Sequence, residues 1–264
     1  KGRVFYDDNL TGFNFRPERA PLSAVLDTLR RLHDDPAPPT VYVGSATLST
    51  YLPGFEAQHP PPPGVPAEAL ASLWLGNRSR IAAHHDVPDN LACVAAGRRR
   101  FTLFPPEQVG NLYIGPLDVT PAGQAISLVD FAAPDFERFP RFAEALRHAL
   151  VVELEPGDAL FIPSLWWHHV EGLEPFNVLV NYWWRSVPEW MEPPMNALML
   201  SLLAFRELPA HQRAAWQALF RHYVFEADEG TAAHIPEHAR RLLAPFDAVR
   251  AGDLRERLRQ RLKK

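Results

Sequence analysis

Apolar positions recur at helical intervals over residues 21–33, where Leu22, Val25, Leu26, Leu29 and Leu32 follow Pro21. The spacing predicts an amphipathic helix that ends in the polar, proline-rich loop from Asp34 to Pro39. Residues 40–45 then read as a strand, and short β-type runs follow at 72–77, 81–86, 90–95, 99–104, 151–154, 159–162, 166–171 and 177–184. Turn signals such as Glu155-Pro156-Gly157-Asp158 separate these runs, and evenly spaced short strands predict a barrel or sandwich. One helix, at about 140–150, interrupts the series. From about residue 190 the period changes: Met195, Leu198, Met199, Leu202 and Leu203 repeat as on a helix, and Trp216, Leu219, Phe220 and Tyr223 do so again. Pro209 and Pro236 stand at expected helix starts, and Arg255 to Lys264 predicts a basic, exposed closing helix. The expected architecture is therefore mainly β, with a core domain over 1–190 and a helical C-terminal extension over 191–264. Arg3 to Tyr6 already reads like a strand and position 1 is Lys, so the natural N-terminus is expected to be missing.

Composition narrows the classes. A chain of 264 residues accommodates one large domain or a domain with an appendage, and 47% hydrophobic with 22% charged residues is ordinary globular usage. Proline, at 27 residues, is about a tenth of the chain and favours strands and loops over helices. Lys and Arg total 27 against 31 Asp and Glu, a net charge of -4, so no whole-domain footprint for nucleic acid or an anionic membrane is present. Cys93 stands alone. It excludes an internal disulfide, thiolate zinc fingers and iron–sulfur clusters, and it fits a cytoplasmic protein. No apolar run approaches the roughly 18 residues of a membrane span.

The candidate chemistry lies among 11 histidines. In Ala83-His84-His85-Asp86 the pattern His-x-Asp puts an imidazole and a carboxylate on one face of a strand, the geometry of a bidentate metal claw. His33-Asp34-Asp35 repeats the pattern at the end of the first helix, where a charge pairing in a turn explains it. A third donor comes from Trp166-Trp167-His168-His169-Val170-Glu171, because imidazoles within an apolar strand need hydrogen-bond partners or a metal. Two His and one Asp make a facial triad, which suits non-haem Fe(II) by leaving adjacent positions open, whereas zinc favours a filled tetrahedral set.

Further motifs accompany the triad: Asn90, Gly97-Arg98-Arg99-Arg100, Leu103-Phe104-Pro105-Pro106, Leu112-Tyr113, Asp135-Phe136-Glu137-Arg138-Phe139-Pro140, Pro156-Gly157-Asp158, Ile162-Pro163 and Val180-Asn181-Tyr182-Trp183. In order and spacing, over about residues 4–190, the set resembles the JmjC cupin-like family of Fe(II)/2-oxoglutarate oxygenases. Within that family it is most similar to the asparaginyl hydroxylase type that acts on the hypoxia-inducible factor. The resemblance implies a double-stranded β-helix (a cupin or jelly-roll barrel) with flanking helices, an Fe(II) centre and 2-oxoglutarate as cosubstrate.

Carried over residue by residue, the resemblance implies that His84, Asp86 and His168 ligate iron. It implies that Tyr42 and Arg99 meet the distal carboxylate of 2-oxoglutarate, with Asn90 and Asn181 near the keto-acid end. His85 and His169 do not match, and strand alternation also turns them away from their ligand neighbours. Arg99 stands where the family has a lysine, and it shares a strand face with Phe101 and Leu103. Ile81 departs from the pattern, replacing a hydroxyl donor to the distal carboxylate. The expected activity is hydroxylation of a side chain in a protein or peptide, or of a small molecule. The C-terminal helices are expected to form a homodimer. Two other readings stay open: a cupin-type metalloenzyme without 2-oxoglutarate, and a non-catalytic cupin-fold interaction protein.

Overall fold

A computed structural model describes residues 2–121 and 123–263, which divide into two compact units, residues 1–185 and 186–264. The first unit is built on ten strands. They are β1 (Arg3–Val4), β2 (Tyr42–Thr47), β3 (Leu70–Gly76), β4 (Ser79–His84), β5 (Asp89–Ala96), β6 (Arg99–Phe104), β7 (Leu150–Leu154), β8 (Ala159–Ile162), β9 (Trp167–Gly172) and β10 (Asn177–Trp184). One sheet has the order β1-β4-β9-β6-β7 and the other β2-β3-β10-β5-β8. From β3 to β10 successive strands alternate between the two sheets except at β6 and β7, which are neighbours in the first sheet, joined by the long insert. All pairings are antiparallel except β1 with β4. This is the double-stranded β-helix the sequence pattern and resemblance predict.

The strands read as continuous apolar runs because both faces of much of each sheet are covered. Between the sheets lie Ala92, Val94, Phe101, Leu103, Leu154, Ile162, Val170 and Leu179, all buried. The helix α1 (Leu22–Arg31) and two single turns, α2 (Leu48–Tyr51) and α3 (Phe55–Gln58), cover the outer face of the second sheet. There Leu29, Leu48, Leu73, Leu75, Val180 and Tyr182 form a separate cluster. The insert between β6 and β7 carries α4 (Phe142–Arg147), and its Leu112, Val129, Phe139 and Phe142 pack with Phe104 and Trp167 on the outside of the first sheet.

Several boundaries differ from expectation for local reasons. The first helix stops at Arg31, and α4 spans only six residues before β7 begins at Leu150. The strand expected over 81–86 runs from Ser79 to His84, leaving Asp86 in the β4–β5 turn. The β7–β8 connection is the expected Pro-Gly turn: Gly157 has φ +101°, and the Asp158 N–H donates to the Glu155 carbonyl at 3.0 Å. At the β5–β6 turn Gly97 has φ +73°, and a β-carbon there would collide with the Phe176 carbonyl oxygen.

The second unit holds α5 (Pro194–Phe205), α6 (Ala210–Phe220) and α7 (Ala248–Leu262). Pro209 caps α6 as expected, whereas Pro236 opens only a short 3-10 turn, Glu237–Ala239. The α6 helix continues as a π turn over Arg221–Phe225, and the basic closing helix starts earlier than expected, at an Asp247 cap that accepts from the Arg250 N–H at 2.8 Å. Lys264, the end of that expected helix, lies outside the described residues. Among the described residues no helix is long and apolar enough to cross a membrane.

Candidate metal centre and ligand pocket

The β4–β9 ladder aligns Ile81 with Val170 and His84 with His168, so Ala82 and Ala83 together stand opposite one residue, His169. This β-bulge is what brings Ile81 and His84, three positions apart, onto the same inner face. Strict alternation would have sent one of them outward. The bulge is anchored from the insert, because the Ser127 N–H donates to the Ala83 carbonyl at 2.8 Å.

Asp86 reaches the same point from the β4–β5 turn. The β8–β9 loop clamps that turn: the Leu165 N–H donates to the Asp86 carbonyl at 2.8 Å, the Ser164 hydroxyl to the Val87 carbonyl, and the Ser164 N–H to the Asp89 carboxylate at 2.9 Å. Leu165 holds a left-handed φ of +64° with no glycine to relieve it. Strain of this kind persists where surrounding bonds over-determine the backbone.

Among the described residues His84, Asp86 and His168 offer one ligand atom each within 4.8 Å of one another. The two imidazole centroids are 4.3 Å apart, and His168 Nε2 lies 3.6 Å from Asp86 Oδ2. Each imidazole is tied back by its other nitrogen, His84 Nδ1 to the Ala82 carbonyl at 2.9 Å and His168 Nδ1 to the Trp166 carbonyl at 3.0 Å. A carbonyl accepts only from N–H, so both neutral rings carry the proton on Nδ1 and present the Nε2 lone pair. Backbone carbonyls that hold the far nitrogen prepare histidine for a metal in this way. Burial, reinforced by His84, lowers the His168 imidazole to about 4, which keeps it unprotonated at neutral pH. Two imidazoles and a carboxylate fit a divalent iron that retains open positions.

The neighbouring histidines point elsewhere, as alternation predicts. His85 packs edge-on against Trp167, and His169 lies on Phe131 with centroids 4.5 Å apart. Burial, together with the charges of Arg80 and Arg3, pushes His169 down to about 3, so it is a neutral member of the outer core.

One pocket between the sheets is lined by all the residues singled out from the sequence: His84, Asp86 and His168, with Tyr42, Asn90, Arg99 and Asn181. Ile81, Phe101, Val170 and Leu179 supply apolar walls. Arg99 is only 2% exposed, and among the described residues no carboxylate pairs with it. Its Nε has no partner among the described residues, Nη2 makes a long 3.4 Å contact to the Trp74 carbonyl, and the guanidinium also pairs with the Tyr42 hydroxyl. The Tyr42 hydroxyl faces it; burial pushes that phenol up to about 12, although the guanidinium acts in the opposite direction. A buried, unsatisfied guanidinium fits an anionic ligand supplied from outside the chain.

Sequence reasoning passed over two lining residues, Trp74 and Trp183, which read as core. Both sit on strand faces that the motif residues define: Trp183 is two positions from Asn181, and Trp74 pairs with Leu179 across β3 and β10. The Trp74 indole donates to Asn181 Oδ1 at 2.7 Å, and Asn181 Nδ2 donates to Asn90 Oδ1 at 3.3 Å.

With this geometry in view, comparison with known proteins is unambiguous about class. The model of the cupin-like domain matches residues 1–189, and the chain belongs to that cupin-like family of JmjC type. It is 33% identical over 149 residues to human HSPB1-associated protein 1, an alignment covering 54% of this chain and 30% of that protein. It is 39% identical over 109 residues to tRNA wybutosine-synthesizing protein 5 of Danio rerio, covering 41% and 30%. It is also 34% identical over 134 residues to lysine-specific demethylase JMJ31 of Arabidopsis thaliana, covering 48% and 24%. The chain thus spans under a third of the length of these relatives.

Proposed function

We propose that this chain is an Fe(II)- and 2-oxoglutarate-dependent oxygenase that hydroxylates a side chain of a protein or peptide, with a small molecule as the other substrate class. The observation that carries the reading is the coexistence, in one pocket, of the three-ligand set His84, Asp86 and His168 and the buried guanidinium of Arg99, whose Nε has no partner among the described residues. A cupin metalloenzyme that needs no keto acid has no use for that second feature. The names of the relatives span tRNA wybutosine synthesis, lysine-specific demethylation and association with HSPB1, and a protein side chain is the substrate class we favour for this chain.

When bound, the iron would supply the redox chemistry that couples oxidative decarboxylation of 2-oxoglutarate to oxygen insertion into a C–H bond. His84 and His168 would hold it through Nε2, with the Ala82 and Trp166 carbonyls fixing both rings. Asp86 adds the negative charge that offsets the divalent ion. Arg99 and Tyr42 would bind the distal carboxylate, Arg99 through charge and Tyr42 through a phenol that stays protonated. Phe101, Val170, Leu179 and Ile81 exclude water from the space between. Ile81 can offer no hydrogen bond, so more of the carboxylate recognition falls on Arg99.

The helical extension supports a homodimer in the same proposal: Leu198, Met199 and Leu203 of α5 are exposed, Leu203 at 81%. The activity is tested by incubating the protein with Fe(II), O₂ and 2-oxoglutarate and measuring succinate. Succinate formed by wild type and lost in Asp86→Ala supports the reading, and none above background from wild type, with or without candidate peptides, contradicts it.

A further inference from the structure

Of three nitrogens that can donate in the pocket walls, two lack a partner among the described residues and one has one. Arg99 Nε lacks a partner, and the Trp183 indole Nε1–H is buried and lacks one among the described residues. The third, the Trp74 indole N–H, is satisfied by Asn181. Trp183 and Trp74 meet edge to face with centroids 5.8 Å apart, so two similar rings in one wall differ in whether the N–H is used. A buried indole N–H normally finds an acceptor, because leaving it unpaired forfeits its hydration with no hydrogen bond in return.

The ladder registers place the two unpaired donors at opposite ends of the pocket. On β10 Trp183 is aligned with Asn90, the residue four positions after Asp86, which puts it at the metal end. On β6 Arg99 lies four residues from Leu103, and Leu103 is the partner of His168; four residues of strand are roughly 13 Å. Asn181 stands between them, with its oxygen held by Trp74 and one amide hydrogen given to Asn90.

Resting on the oxygenase reading, we infer that the Trp183 indole N–H is a ligand-binding donor at the metal end of the pocket. It serves the carboxylate next to the keto group, while Arg99 serves the distal one. Two donors so separated select an elongated keto acid with an anionic group at each end. Ile81 offers no donor to the distal carboxylate, so that end depends on Arg99 and Tyr42. Asn181 is a positioning residue in this arrangement, fixing the Trp74 ring against which Trp183 packs.

The test uses the whole chain with Zn(II) in place of iron and follows indole N–H signals by ¹⁵N-correlated NMR. The Trp183 signal is assigned by its contacts to Trp74 and by its loss in Trp183→Phe, which keeps an aromatic ring and removes only the donor end. On adding 2-oxoglutarate the Trp183 signal is expected to move downfield and become protected from solvent exchange. Trp183→Phe is expected to weaken both 2-oxoglutarate and pyruvate by roughly 10- to 100-fold in calorimetry. Arg99→Met is expected to weaken 2-oxoglutarate but not pyruvate, which has no distal carboxylate. An unmoved Trp183 signal in wild type that binds 2-oxoglutarate overturns this inference alone. Failure of wild type to bind 2-oxoglutarate overturns it together with the oxygenase reading.

Discussion

His84 faces His168 across the β4–β9 ladder, centroids 4.3 Å apart, only because Ala82 and Ala83 share one position opposite His169. The metal claw is therefore a product of an irregularity in the strand. Deleting Ala83 removes the extra residue and leaves Ile81 and His84 two positions apart, so regular alternation keeps both facing the pocket. The expected outcome is metal binding retained, with the far-ultraviolet circular dichroism of a β protein unchanged. Loss of metal affinity in that folded deletion would show that alternation alone does not aim His84.

The ligands and their supports should separate by magnitude. Replacing a hydrogen-bonding support of a metal ligand typically costs 10–100-fold in metal affinity. Removing Asp86 or His168 itself should cost more than that, measured as Fe(II) or Zn(II) dissociation constants for Asp86→Ala and His168→Ala against wild type.

Arg99→Met should act in opposite directions on binding and on stability. Losing a buried charge partner weakens 2-oxoglutarate by about 30-fold or more. Without ligand the same guanidinium is a buried, unpaired charge, so the methionine variant is expected to melt higher than wild type. Calorimetry of 2-oxoglutarate binding and thermal melts of the ligand-free protein check both halves.

Much of this was legible in the sequence, for identifiable reasons. The β6, β8 and β10 strands match their expected bounds, because Gly97, the Pro156-Gly157 turn and Pro163 punctuate them sharply. His84, Asp86 and His168 stand out as metal donors within or beside apolar strands, whereas Tyr42, Asn90, Arg99 and Asn181 come from the family resemblance, and all seven line one pocket. The bulge left no such mark, since Ala82-Ala83 is as acceptable in a regular strand as in an irregular one. Trp74 and Trp183 were hidden for the opposite reason: aromatic residues on strands ordinarily fill cores, and only the unpaired N–H distinguishes Trp183. The clamp of Ser164 and Leu165 on the Asp86 turn is long-range and has no local signature.

Tyr42 sets an alkaline limit on stability. Its phenol titrates near 12 in the folded chain, chiefly through burial, against an ordinary value of 10.0. A raised acid pKa means that the unfolded state loses its proton first. The contribution of Tyr42 is thus intact below pH 10 and falls as pH rises towards 12, by on the order of 2 kcal/mol. Tyr42→Phe should flatten that part of the stability–pH curve in urea titrations; an unchanged slope would show that the phenol is not held neutral by the fold.

Leu165 is 46% exposed and held at φ +64°, a conformation that costs a non-glycine residue roughly 1–2 kcal/mol. Asn tolerates this region, so Leu165→Asn should stabilise the protein by up to about 1 kcal/mol while the loop bond to Asp86 persists. Destabilisation in chemical denaturation would mean that the Leu165 side chain contributes packing that outweighs the strain.

The proposed homodimer rests on the exposure of Leu198, Met199 and Leu203 on α5, and on that proposal Leu203→Glu should shift the mass in light scattering from dimer to monomer. A concentration-independent monomeric mass for wild type contradicts the homodimer.

The central claim, that one pocket holds iron and a keto acid together, is tested most directly by anaerobic Fe(II) titration with and without 2-oxoglutarate. A keto acid chelating Fe(II) through two oxygens gives a weak visible charge-transfer band. The expected result is a band that saturates with 2-oxoglutarate in wild type and is absent in His84→Ala. Iron binding with no band at saturating 2-oxoglutarate would contradict the account and favour a metalloenzyme that does not use the keto acid.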